Sequence, residues 1–368
     1  RRKAAVENGV ELAGPIEVQR ARALRDGDEH RALEMRAWRE EDIRATLDEA
    51  ERLLRRHCQA VWDVGRRFGT IGGELDGLKI ENVDRDAMPV HRSEPGKIVL
   101  STFADRRDRM RFAAAYSDPE SGITTGPKLS TWPFAVAPVK YVGHAAITAD
   151  IANFKAALAA NGVSEGFMTS IGPASCARVG NHHYKTDDEF VFACADAMRE
   201  EYKAIVDAGL VLQIDDPAIA ENFDQINPEP SYEDYRRFTE PKIEALNHAL
   251  KGLPQDRIRF HLCWGSWHGP HMTDIPMKEI IGSMLKINAG AYSFEAGNVR
   301  HEHEWAVWKD TKLPSDKLIL PGVVSHATNV VEHPELVAER IGRFTRLVGK
   351  ERVIASTDCG LGGRVHRD

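Results

Sequence analysis

From Val139 onward the sequence alternates between short apolar runs of strand length and longer amphipathic stretches, a pattern that points to βαβ units wound into a parallel sheet. The strand-like runs are Tyr141–Gly143, Gly166–Ile171, Leu210–Asp215, Ile258–Phe260, Ala291–Glu295, Leu318–Val324 and Arg352–Ser356. Helical patterning covers Asp150–Ala160, Asp187–Asp207, Tyr232–Leu250, Pro276–Asn288 and Pro334–Leu347. The runs are mostly apolar, as strands covered on both faces are.

The chain before Val139 reads differently. Between Glu17 and Arg67, Trp38, Ile43, Leu47, Leu53 and Leu54 recur near helical spacing among Glu and Arg, so charged helices are expected there. Gly69–Gly73 reads as a short strand entering a glycine-rich loop that carries Glu74. Pro89, Pro95, Pro119, Pro127, Pro133 and Pro138 break up residues 76–138, leaving a helical piece at Arg106–Tyr116 and a strand-like Ile98–Leu100. A single domain over residues 1–368 is expected, with 1–138 as N-terminal helices and an irregular excursion and 139–368 as the core.

Composition removes several function classes. A net charge of −7 and a pI near 6.1 argue against nucleic acid or an anionic membrane surface as partner. No stretch approaches the roughly eighteen apolar residues that span a bilayer, and the basic start Arg1-Arg2-Lys3 leads into no signal-peptide core. The five cysteines, Cys58, Cys176, Cys194, Cys263 and Cys359, are odd in number and widely spaced, as in a reduced, cytoplasmic protein.

The polar residues choose the architecture. Asp215-Asp216, His261 with Cys263, Glu295, His326 and Asp358-Cys359 each fall at or just after the C-terminal end of a different strand. That is where a TIM barrel gathers its active site. A doubly wound sheet would carry an early glycine-rich phosphate turn, and no G-x-G-x-x-G follows a strand here. The expected fold is therefore a (β/α)8 barrel with an N-terminal excursion. Fewer than eight strands are countable, so the first is expected to precede residue 1.

His261 and Cys263, two apart at a strand end, point to the same side. With Glu295 and Cys359 they offer one nitrogen, two sulfurs and one oxygen from three strand ends, a set that suits zinc. The absence of close C-x-x-C pairs favours a catalytic over a structural metal. Thiolate ligands make zinc a weak activator of water, whereas a thiol on zinc loses its proton at neutral pH. The implied chemistry is S-alkylation rather than hydrolysis. Arg300 is a candidate for bidentate recognition of a carboxylate or sulfonate, unless it pairs with Glu302 or Glu304. His268, His271, His301 and His303 are expected at the surface or at helix ends.

These residues resemble a known family. His261-Leu262-Cys263, Phe294-Glu295-Ala296-Gly297-Asn298 and Thr357-Asp358-Cys359-Gly360 are similar to the zinc motifs of cobalamin-independent methionine synthase. Gln213-Ile214-Asp215-Asp216-Pro217-Ala218 resembles its Q-I-D-E-P-A segment, and Pro321–His326 its proton-donor histidine segment. The resemblance covers about residues 165–363; before that, Gly72-Gly73-Glu74 alone is similar to the family's D-G-E. It implies a TIM barrel, zinc on His261, Cys263, Glu295 and Cys359, and methyl transfer to homocysteine sulfur. It also implies that Asp215 holds the acceptor's amino group and that His326 assists proton transfer to the departing group. Gln213, Asp216, Glu74 and Asn298 would stand with them at the substrates, a small-molecule thiol and an alkyl donor. Two departures matter. Asp216 replaces the family's Glu, and the chain has no room for a second barrel. The segments Trp264–His271 and Arg300–Trp305 resemble a single-barrel branch that includes enzymes opening epoxides with coenzyme M, the alternative reading. A zinc-binding protein without catalysis is the reading from another class. Oligomeric state stays open.

Overall fold

The computed structural model describes residues 80–84, 98–103, 105–123 and 131–361. The expected helices of Glu17–Arg67, the strand at Gly69–Gly73 and Glu74 lie outside the described residues. Strands β1 (Ile80–Asp84) and β2 (Thr131–Ala135) pair antiparallel, and β2 runs parallel to the two-residue β4 (Gly180–Asn181) in a small sheet of its own. The main sheet has six parallel strands in chain order: β3 (Phe167–Ile171), β5 (Val211–Asp215), β6 (Ile258–Leu262), β7 (Ala291–Phe294), β8 (Leu318–Val324) and β9 (Ser356–Thr357). The connecting helices include α1 (Arg107–Arg111), α2 (Ala113–Ser117), α3 (His144–Ala160), α4 (Pro173–Cys176) and α5 (Asp187–Asp207). They continue with α6 (Ala218–Glu221), α7 (Tyr232–Leu250), α8 (Met277–Met284) and α9 (Pro334–Val348).

The sheet is curled. Neighbouring strands lie about 4.8 Å apart, so a flat sheet would hold the ends of β6 and β9, three spacings apart, at ~14 Å. Cys263 follows β6 and Cys359 follows β9, yet their Sγ atoms are 3.7 Å apart. Two cysteine side chains are too short to close a flat sheet's gap, so the strands wrap into half of a barrel. Strand parity separates the two faces. Leu212, Ile214, Phe260, Leu262, Tyr292 and Phe294 are buried, and the Phe294 ring meets Phe344 of α9, which marks the helix-covered side. Their alternates Gln213, Asp215, Arg259, His261 and Ser293 therefore face the concave side.

Local signals start the long helices where their patterns do. Thr186 Oγ1 accepts from Glu189 N at the head of α5, and Ser231 Oγ accepts from Asp234 N at the head of α7. Three expectations are corrected. Tyr141–Gly143 is not a strand; Val139 N donates to Tyr184 and Tyr141 Oη to Glu201, so side chains rather than a ladder anchor this stretch. Helix α3 begins at His144, which puts Asp150 beyond its first turn. The last strand is Ser356–Thr357 rather than Arg352–Ser356, with an isolated bridge at Val353. Arg352 instead donates to the carbonyls of Lys317 and Leu313, which holds its backbone in a 3-10 turn.

Candidate metal centre

The register pairs His261 of β6 with Ser293 of β7, and His261 Nδ1 lies 3.1 Å from Ser293 Oγ. That bond orients the ring and leaves Nε2 buried without a hydrogen-bond partner. Two residues on, Cys263 Sγ accepts from Gly265 N at 3.3 Å and donates to Cys359 Sγ at 3.7 Å. One ring nitrogen of His261 and both sulfurs lie within 4.8 Å of one another, the one such cluster of metal-ligating groups among the described residues. The sulfurs are far beyond disulfide bonding. Two sulfurs about 2.3 Å from a tetrahedral zinc would stand about 3.8 Å apart, so the observed spacing and the orphaned Nε2 fit that ion.

The cluster is charged even without a metal. The hydrogen bond from Cys263 holds the Cys359 thiol far below its usual range, at about 3, against burial and with help from His261. Burial opposes a charged His261, but Cys359, Asp215 and Glu295 together raise it to about 9. The bond to Cys359 and burial push Cys263 up. These shifts favour the charged forms of Cys359 and His261 and the neutral form of Cys263.

Glu295 stands outside this three-atom cluster. Its Oε1 accepts from Trp264 N and its Oε2 from Asn298 Nδ2, both at 2.8 Å, and burial raises its pKa. Asn298 is a buried brace rather than a pocket wall. Its Nδ2 also donates to Asp358 Oδ2 at 3.1 Å, and its Oδ1 accepts from Arg300 N and His301 N. Asp358, fully buried, accepts from Ala296 N at 2.8 Å and Gly297 N at 2.7 Å. His326 is buried too, with Nδ1 3.9 Å from Asp358 Oδ2.

The remaining candidates divide. Asp215, the register partner of His261, is partly exposed, and its Oδ1 accepts from Gln213 Nε2 at 2.7 Å. Asp216 points into the core, where Ser175 Oγ at 2.6 Å and Ala174 N at 3.3 Å occupy its carboxylate, so it is a brace for α4 and not a shortened arm at the substrate. Arg300 pairs with no carboxylate among the described residues; Nη1 rests on Met272 Sδ at 3.8 Å. Glu302 is taken by Arg340 and Arg343, and Glu304 by His301. His301 is not at the surface but buried between Glu304 (2.8 Å) and Asp274 (3.3 Å).

Arg259, which alternates with apolar residues along β6, lies on the same face as His261. Its Nε donates to Gln213 Oε1 at 2.5 Å, and its guanidinium sits 3.5 Å over the Phe167 ring. The signal was the alternation that pairs His261 with Cys263, carried two residues back. Ser293 and the buried role of Asp358 have no comparable signal, because each depends on pairing between strands.

Residues 135–367 match the family model described as the catalytic domain of cobalamin-independent synthase. A methionine synthase of Saccharolobus solfataricus is 27% identical over 198 residues, 53% of this chain and 51% of that protein. One from Sulfolobus acidocaldarius is 26% identical over 184 residues, 49% and 45% of the two chains. The chain thus spans about half the length of these curated relatives. A B12-independent methionine synthase from Shewanella sp. W3-18-1, solved in complex with selenomethionine, aligns at a TM-score of 0.48 and 20% identity, covering 65% of this chain and 67% of that one. A putative vitamin-B12 independent methionine synthase from Listeria monocytogenes gives 0.45 and 21%, covering 68% and 72%.

Proposed function

This chain belongs to the cobalamin-independent synthase family, and from that premise we propose that it catalyses zinc-dependent transfer of a methyl group to the sulfur of homocysteine. The observation that carries the reading is the meeting of His261, Cys263 and Cys359, from two strands that a flat sheet would keep far apart. His261 Nε2 and the two cysteine sulfurs would hold the metal, and Glu295, released from Trp264 N or Asn298, would add an oxygen. Zinc, when bound, supplies the positive charge that strips the acceptor thiol of its proton and keeps the sulfur nucleophilic.

The protein groups do the rest. Asp215 presents its carboxylate to the acceptor's ammonium group, with Gln213 beneath it. In the transfer the sulfur–carbon bond forms as the methyl–donor bond breaks, and the departing donor atom takes a proton from His326. Asp358 Oδ2 lies 3.9 Å behind His326 Nδ1. Arg300, which pairs with no carboxylate among the described residues, would meet an anionic group of a substrate. Burial of Asp216 removes the shortened substrate arm that spoke for the epoxide alternative. No helix among the described residues is long and apolar enough to cross a membrane; we assign the activity to the cytoplasm and to a single barrel domain.

Metal analysis of wild type and Cys359→Ser tests the site: zinc should be present in the first and lost in the second. A matrix of donors (methyl-folate, methylated sulfur compounds, epoxides) against homocysteine and coenzyme M tests the reaction. Methionine should form from homocysteine and a methyl donor. Product solely from an epoxide and coenzyme M would overturn the assignment, and bound zinc with no reacting pair would favour a non-catalytic protein.

A further inference from the structure

We propose that Arg259 is a positioning residue which, through Gln213, fixes the Asp215 carboxylate and so makes the site select thiols that carry an amino group. The inference rests on the thiol-transfer reading given above and adds the part that sets acceptor preference.

The chain of contacts has a forced direction. A glutamine amide can sit either way round, with its oxygen and nitrogen exchanged. An arginine Nε can donate but never accept, so the amide atom 2.5 Å from Arg259 Nε has to be Oε1. That turns Nε2 toward Asp215, where it donates to Oδ1 at 2.7 Å. An ionised carboxylate can accept but never donate, so both ends of the relay require the same orientation. With Oδ1 held from below, Oδ2 accepts no hydrogen bond among the described residues, and Asp215 is partly exposed while Gln213 beneath it is buried. The free oxygen is the one available to an ammonium group.

The register puts this relay at the right depth. Gln213 is the strand partner of Arg259, and Asp215 is the partner of His261. The relay thus forms one layer of the concave face, and the layer directly above it holds the acceptor's anchor beside the ligand histidine. Arg259 is itself constrained: its guanidinium lies over the Phe167 ring at 3.5 Å, and the Asp215 carboxylate attracts it. Without a donor at position 259, Gln213 Oε1 loses its anchor and the amide keeps only its bond to Asp215, so amide and carboxylate are free to swing together.

The test reads thiol binding to cobalt-loaded protein, through the sulfur-to-cobalt absorption that appears when a thiolate joins the metal. The probes are homocysteine and 4-mercaptobutanoate, which differ by the amino group. Wild type should bind homocysteine more tightly. Arg259→Met should weaken homocysteine about tenfold, the weight of one hydrogen bond to a charged group, and leave 4-mercaptobutanoate within about twofold. Arg259→Lys, which keeps a donor that cannot accept, should retain the preference. The double variant Arg259→Met with Gln213→Met should lose no more than the single one, because the two residues act in series. Equal loss of both thiols, loss of neither, or additive losses in the double variant would overturn the relay. A wild-type protein that binds neither thiol would overturn the thiol-transfer reading and the relay with it, an outcome distinct from the others.

Discussion

Asp358→Asn alters one atom in a fully buried side chain, and the structure lets its cost be worked out. Oδ1 can still accept from Ala296 N and Gly297 N, at 2.8 and 2.7 Å, but as a neutral oxygen. Hydrogen bonds to charged groups are worth about 1 kcal/mol more than neutral ones, so these two bonds together lose about 2 kcal/mol. The new amide nitrogen stands where Oδ2 accepted from Asn298 Nδ2 at 3.1 Å, turning an attraction into two opposed donors, at about 2 kcal/mol more. Relief of desolvation on removing a buried charge trims the net loss to about 3 kcal/mol. At 2–4 °C per kcal/mol for a domain of this size, the melting temperature should fall by about 8 °C in circular dichroism. Zinc affinity should fall at least about tenfold, since the loop that Asp358 ties down carries Glu295 and Asn298, and the next residue is Cys359. A variant melting within about 2 °C of wild type would refute this account of the loop.

Other consequences follow from the same contacts. In chelator-treated protein, Cys359 should react with iodoacetamide at a rate nearly flat from pH 5 to pH 8, because its folded pKa of about 3 keeps it ionised throughout; a rise centred near the ordinary thiol pKa would refute the pairing with Cys263 and His261. The sign for stability is set likewise: the depressed Cys359 contributes above the unfolded thiol pKa and loses that contribution as pH falls toward 3, while the raised His261 contributes below its unfolded pKa and loses it as pH rises through about 9. His301→Ala should cost about 2–3 kcal/mol by taking one partner each from Asp274, which keeps His271, and Glu304, which keeps Met277 N, and an unchanged urea midpoint would contradict that. Gly322→Ala should destabilise, since a methyl there would lie 2.5 Å from Asp358 Cα, whereas Gly282→Ala, exposed on α8 with open space around it, should stabilise by up to about 1 kcal/mol; thermal melts that reverse the two signs would refute the packing.

The elements that could be read from the chain were those whose signals are local. Helices α5 and α7 lie within Asp187–Asp207 and Tyr232–Leu250 as their periodicity predicts, because a hydroxyl cap at Thr186 or Ser231 precedes each apolar stripe. The strand ends that carry His261 and Glu295 were legible from runs of β-formers, whereas the run Arg352–Ser356 meets the strand before Cys359 only at Ser356. Tyr141–Gly143 misled because three apolar residues match a strand whether or not a neighbour is there to ladder with them. Asp216 misled for a related reason: a carboxylate beside a strand end reads as exposed, and only the approach of Ser175 from α4 shows it turned inward. Arg259 was readable by parity, yet an arginine inside a strand looks like its solvent face until the curl of the sheet supplies a concave side.

That curl also explains how Cys359 reaches the site. The concave layer at the height of His261 runs Ile171, Asp215, His261, Ser293 and Leu320, so polar groups occupy its middle and β8 closes it with an apolar wall. A thiol from β9 has to pass that wall. The ladder between β8 and β9 is irregular between Gly322 and Val324, and irregular ladders bend and twist a strand. At the same place Gly322, lacking a side chain, allows the Asp358 backbone to come closer than any methyl would permit. Asp358 then ties β9 across to Ala296 and Gly297 after β7, skipping the strand between. Each step moves the end of β9 inward, and Cys359 is the next residue. The glycine, the irregular ladder and the buried carboxylate therefore act together to deliver a sulfur to a histidine three strands away.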